Sequence, residues 1–148
     1  MLLSSIVSQF LAEERNVAVL LADTQVEALA IAATGFYSGY ADLTAAPNTT
    51  LADITGNVDI SASEWAIIKP LFLLYVERET ALQTEATGMQ GVNGFGRNSS
   101  EVNSDIARVE ETFADRAACQ AVITVGGDAS LSNETGGIFP YGFNFYYY

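Results

Sequence analysis

Six basic side chains, eighteen acidic ones, one cysteine and no histidine set the chemistry open to this chain. Histidine is the commonest general base and a leading metal ligand, so its absence removes most acid–base and zinc-type sites. Cys119 would need an activating partner to act as a nucleophile, and none is evident in the sequence. Ser–Lys chemistry would fall to Lys69, which sits in an apolar stretch where a snorkelling lysine is the plainer reading. Glu77 and Glu79 could be imagined as an acid and base, but side chains two apart on a helix do not face each other. Gly88–Arg97 is glycine-rich, like a phosphate cradle. Such a cradle follows a strand and carries a lysine, whereas this segment follows a helix and carries only Arg97. Asn48-Thr49-Thr50, Asn98-Ser99-Ser100 and Asn133-Glu134-Thr135 fit the glycosylation pattern, with no secretory signal to give it meaning. The expectation is a protein without catalytic residues, cofactor or metal. Its carboxylates read as a solvated face.

Aromatic surface is concentrated at the C-terminal end. Ile138–Tyr148, IFPYGFNFYYY, places Phe139, Tyr141, Phe143, Phe145 and Tyr147 on alternate positions, the period of an extended strand. Gly126–Gly137 before it has linker composition. The segment is either a last strand folded back on its own core or an arm that docks on another protein. The second reading is favoured, with those five aromatics as partner contacts. Tyr and Phe offer large contact area at low side-chain entropy cost, and left free they would promote aggregation.

The elements that must carry this arm are helical. Central among them is Ile60–Ala86. Ser61-Ala62-Ser63-Glu64 is a capping box, and Ile60 and Trp65 occupy the positions of a hydrophobic staple. Between Ala66 and Val76 only Lys69 is charged. A helix apolar nearly all round packs on several sides, but this one is too short for a bilayer, which takes about 20 apolar residues. It is expected to pack on its own chain and on a neighbouring subunit, with Trp65, Phe72 and Tyr75 in subunit packing. Pro70 inside it costs roughly 3 kcal/mol and is expected to kink the helix rather than end it.

Around this centre, Leu3, Ile6, Val7, Phe10 and Leu11 predict a short amphipathic helix over Leu2–Glu14. Val17–Leu21 reads as extended or coil. A capping signal at Thr24–Glu27 opens a helix to about Leu43, with Leu29, Ala32, Ala33, Phe36 and Tyr40 on its apolar stripe. Thr44–Asp59 reads as a long loop, of a kind usually functional or mobile. Asn98–Glu101 opens a further helix to about Ala118, with Val102, Ile106, Val109 and Phe113 inward. Ala121–Val125 is strand-like. The predicted fold is mainly α: an antiparallel helical bundle (1–125) with a short strand, a linker (126–137) and an extended aromatic arm (138–148).

The net charge of −12 argues against a surface that grips nucleic acid. The hydrophobic share of 49% argues against global disorder. One cysteine gives no intrachain disulfide, and the N-terminus lacks the basic region of a signal peptide, so a soluble protein made in a cytoplasm is the default.

Two stretches, SEWAIIKPLFLLYVERE (Ser63–Glu79) and Gly96-Arg97 followed by SEVNSDIARVEE (Ser100–Glu111), carry a resemblance. Over about residues 24–118 the chain resembles the small head–tail connector, or adaptor, proteins of tailed-bacteriophage necks. That resemblance implies a helical bundle assembled as a ring, commonly a dodecamer, beneath the portal protein. It also implies a channel through which DNA passes without sequence-specific binding, and a C-terminal arm reaching into the portal. The location implied is the virion neck, after assembly in the host cytoplasm. An acidic channel suits sliding, since phosphates find no counter-charge there. The rival readings are a tail-side or minor capsid protein of the same virion and a carboxylate-based hydrolase.

Overall fold

The structure is a computed structural model that describes residues 1–15, 21–47, 49–88 and 96–124, with side chains as far as residue 118. It is mainly helical. Helix α1 (Leu3–Gln9) runs on as a π-helical stretch, Phe10–Glu14. It is followed by α2 (Asp23–Ser38), a 3₁₀ turn at Leu51–Asp53, α3 (Ala62–Gly88) and α4 (Ser99–Thr124). Among the described residues no β-strand forms, only isolated bridges pairing Leu2 with Asp59 and Leu43 with Ala46.

The strand expected at Ala121–Val125 is therefore corrected: residues 121–124 belong to α4. Extending an existing helix adds one hydrogen bond for each residue ordered, and no glycine or proline interrupts the chain before Gly126. Strand propensity in AVIT is a weak preference without a neighbouring strand to pair with. The expected arm, including Phe139, Tyr141, Phe143, Phe145 and Tyr147, lies outside the described residues, as do the linker and most of the Val17–Leu21 run.

Helix α3 starts as its sequence demands. The Glu64 N–H donates to Ser61 Oγ at 3.3 Å, and Glu64 Oε2 accepts from the Ser61 N–H at 2.7 Å. This reciprocal pairing satisfies donors that a helix start leaves open. The helix continues through Pro70 as one element, with Pro70 on its exposed side. There the ring avoids the core, while the carbonyl of Ala66 is left without its usual N–H partner.

Helix α2 differs from expectation at its end and on its face. It stops at Ser38, with Gly39 closing the last turn, rather than near Leu43. Its start is set by Ala22, whose N–H donates to Gln25 Oε1 at 3.0 Å, two residues ahead of the predicted Thr24–Glu27 pairing. Its buried residues are Val26, Ala30, Ala33, Thr34, Gly35 and Tyr37, whereas Ala32 and Tyr40 are exposed. The rest of the expected stripe turns inward, with Ala33 buried and Leu29 and Phe36 packed against the core, so the buried face overlaps the expected one and extends to Val26, Ala30 and Tyr37. At Gly35 an added Cβ would come within 2.7 Å of Leu51 Cδ1.

The core joins Leu3, Ile6 and Phe10 of the first helical stretch to Ile68, Leu71, Phe72 and Val76 of α3 and to Val102, Ile106 and Phe113 of α4. Phe10 and Phe72 meet edge-on at 5.1 Å, and Phe113 packs against Phe36 at 5.2 Å and Tyr37 at 6.3 Å. The connection from α2 to α3 is pinned, with Leu43, Ile54, Val58 and Ile60 buried. Its carbonyls also finish α1: the N–H groups of Leu3 and Ser4 donate to Val58 and Gly56 at 2.9 and 2.8 Å. The open end of α1 is thus satisfied by a segment more than fifty residues away, which ties the N-terminal helix to the entry of α3.

Candidate interaction surface

The stretches around Ser63–Glu79 and Ser100–Glu111 lie on α3 and α4, which pack against each other. Glu85 near the end of α3 accepts from the Ser99 N–H at 2.7 Å and from Ser99 Oγ at 2.9 Å. Further along, the Tyr75 hydroxyl donates to Glu110 Oε1 at 3.1 Å. Rising numbers on α4 thus meet falling numbers on α3, so the two helices run antiparallel. Asn98 caps α4 through its Oδ1, which accepts from the Ser100 N–H at 3.1 Å. Glu85 supplies a second cap from outside the element, and nothing local to either helix signals it.

Charge at this hairpin is paired. Arg97 reaches Glu77 at 3.4 Å and also binds Asp105, whose carboxyl it holds below the usual carboxylate range mainly through that hydrogen bond. Arg78 binds Glu79 at 2.9 Å and lies 5.3 Å from the centre of the Tyr75 ring. Glu77 and Glu79 are therefore each engaged by a different arginine. Burial, and then the Glu110 carboxylate, push the Tyr75 hydroxyl up to about 12. Lys69 is ion-paired with Glu14 at 2.8 Å, across from α3 to the π-helical stretch. Among the described residues no group of three or more Cys, Asp or Glu side chains gathers as metal ligands, and no helix is long and apolar enough to cross a membrane.

The residues expected in subunit packing separate by burial. Phe72 is 0% exposed and spent inside the protomer, between Phe10 and Trp65. Trp65 and Tyr75 are half-buried, so each keeps surface that another chain can reach. Trp65 packs on Phe72 at 5.5 Å and lines a cleft with Ile6, Gln9, Phe10, Glu14 and Lys69. Beside this cleft, α3 turns an apolar face outward. Ala66, Pro70 and Leu73 are exposed, Leu73 to 38%, and Ile67 and Leu74 are half-buried at its margin. By contrast, the outward face of α4 carries Asn103, Arg108, Glu111, Asp115 and Arg116, a solvated surface. An apolar strip of α3 is thus exposed beside a cleft lined by Phe10 and Trp65.

Comparison of the chain with family models, with curated proteins and with solved structures finds no match.

Proposed function

We propose that this chain is a structural connector of a tailed-phage neck. In this reading the protomer is an antiparallel helical bundle, and copies form a ring, a dodecamer, below the portal protein. DNA passes through the ring. The C-terminal arm docks on the portal or on a neighbouring neck protein through Phe139, Tyr141, Phe143, Phe145 and Tyr147. The chain acts by holding partners together and carries out no catalysis.

The observation that carries this reading is the pairing of α3 with α4. Ser63–Glu79 and Ser100–Glu111, the stretches that resemble neck connectors, lie along one antiparallel hairpin, so the resemblance falls on a single structural unit. The net charge of −12 per copy supports a channel that DNA crosses without adhering. Linker composition followed by dense aromatics supports a docking arm, in which repeated copies around a ring would act together.

The test is deletion of residues 138–148. Circular dichroism should still report a folded helical protein, while complementation of a phage mutant lacking the gene should yield heads and tails that do not join. Normal infectious particles from the truncated protein would remove the arm from the mechanism. Electron cryomicroscopy of the neck in intact particles would then locate the protein directly.

A further inference from the structure

The outward face of α3 has no partner within the described residues, and the chain beyond α4 begins close to it. Glu85 meets Ser99 and Tyr75 meets Glu110, and continuing that register brings Thr124 level with the start of α3. On α3 the contacts to α4 run through Tyr75 and Glu85, and those to the α1 cleft through Trp65 and Lys69. Ala66, Pro70 and Leu73 lie between these two sides. A chain leaving α4 therefore emerges at the edge of an uncovered apolar strip, with an aromatic-floored cleft on the far side.

We propose that in the free protomer the chain's own C-terminal segment, Ile138–Tyr148, lies across α3 over Ala66, Pro70 and Leu73 and puts an aromatic ring into the cleft beside Trp65. This rests on the reading of residues 138–148 as an arm and adds what the arm binds before assembly. Reach allows it: the 13 residues from Val125 to Gly137 span up to about 40 Å when extended, at roughly 3.3 Å each. Size fits too. Ala66 to Leu74 rises about 12 Å at 1.5 Å per residue, the length of about four residues of extended chain. Phe139 and Phe143, four positions apart on one face of an extended segment, match that length.

The chemistry matches at both places. The strip is uncharged, which suits Phe139 and Phe143. The cleft has a floor of Ile6, Phe10 and Trp65 and a rim of Gln9, Glu14 and Lys69. That combination takes the ring of a tyrosine and offers its hydroxyl a polar partner. Covering the strip also removes an aggregation-prone segment from solution until a partner with a better site displaces it. The arm would then be released only where the neck is being built.

Trp65 is the chain's single tryptophan, so its fluorescence reads the site without a label. Deleting residues 138–148 should shift its emission to the red and remove protection from acrylamide quenching, with helical circular dichroism unchanged. In the full-length protein, Leu73→Glu should reproduce the loss of protection, because it places a charge on the strip while leaving the buried face of α3 alone. Unchanged emission and quenching in both variants would overturn the proposal and leave the arm's role in head–tail joining intact. Protection that fades on dilution would overturn it in favour of a tail borrowed from a second copy. An unfolded truncation would overturn both this proposal and the arm reading, since the segment would then be core.

Discussion

Glu64 is a carboxylate 1% exposed that accepts four hydrogen bonds from uncharged donors. Ser61 supplies its N–H and hydroxyl at 2.7 and 2.6 Å, and Thr44 does the same at 2.7 and 2.9 Å. Burial alone pushes the Glu64 carboxyl up, but the bonds from Ser61 and Thr44 together outweigh it and hold the group below its ordinary value. A carboxyl lowered on folding adds stability above its unfolded value, about 4.3, and loses it as pH falls through the folded one. Glu64→Gln should therefore lower stability at pH 7 by about 1.5–3 kcal/mol, the worth of hydrogen bonds to a charged group. It should also flatten the acid side of the profile below about pH 4.3, as read by urea unfolding across pH. A wild-type profile matched by the variant in that range would show that Glu64 does not carry the acid dependence. Tyr75 works at the other end. Its hydroxyl, raised to about 12 by burial and then Glu110, stabilises the fold below its unfolded value of 10.0, an advantage lost as pH rises toward 12. Tyr75→Phe should shed part of the alkaline loss over that interval. Equal losses in both proteins would assign it elsewhere, Tyr37 being the next buried phenol.

At the scale of the element, α3 is the most informative. Its start is strongly specified, yet it contains a proline whose cost in a helix interior is about 3 kcal/mol against alanine. Pro70 is exposed, and no core packing depends on its ring. Pro70→Ala should restore a backbone donor to the Ala66 carbonyl and raise stability by about 1–3 kcal/mol in denaturant unfolding. A destabilised variant would mean that the proline at this position is needed to seat Ile68 and Phe72. Helix α4 shows the complementary lesson. Its start draws on Asn98 beside it and on Glu85 across the hairpin. One partner is local and the other exists only when α3 is already in place.

The whole molecule is strongly acidic, −12 over 148 residues, so any assembly of copies must bring like charges together. Screening shortens the reach of that repulsion from about 10 Å at 0.1 M salt to about 3 Å at 1 M. If the chain forms the proposed ring, sedimentation velocity should show larger species as protein concentration rises, and more of them at high salt than at low salt. A monomer at every concentration and ionic strength would count against self-assembly and toward a protein that joins a neck only as single copies on a partner. The apolar face of α3 and the half-buried Trp65 and Tyr75 are the surfaces that such contacts can use without burying carboxylates.

Signals that act within one turn were legible in the residues alone. Ser61 and Glu64 cap α3, Asn98 caps α4, and Leu3, Ile6, Val7 and Phe10 face inward, because each depends on neighbours three or four positions away. The length of the central helix and the net charge were equally plain. Partners distant in sequence decided the rest. Period alone placed Ala33, Leu29 and Phe36 of α2 inward but not the edges of its buried face, where the packing buried Val26, Ala30 and Tyr37 and left Tyr40 half exposed. Residues 121–124 have strand composition, but they continue a helix already under way. Thr44 binding Glu64, Glu85 binding Ser99 and Glu110 binding Tyr75 join residues 20, 14 and 35 positions apart. Hydrogen bonds of that kind have no local signature, since any exposed carboxylate could in principle make them. Only the tertiary arrangement brings each donor within reach of its acceptor.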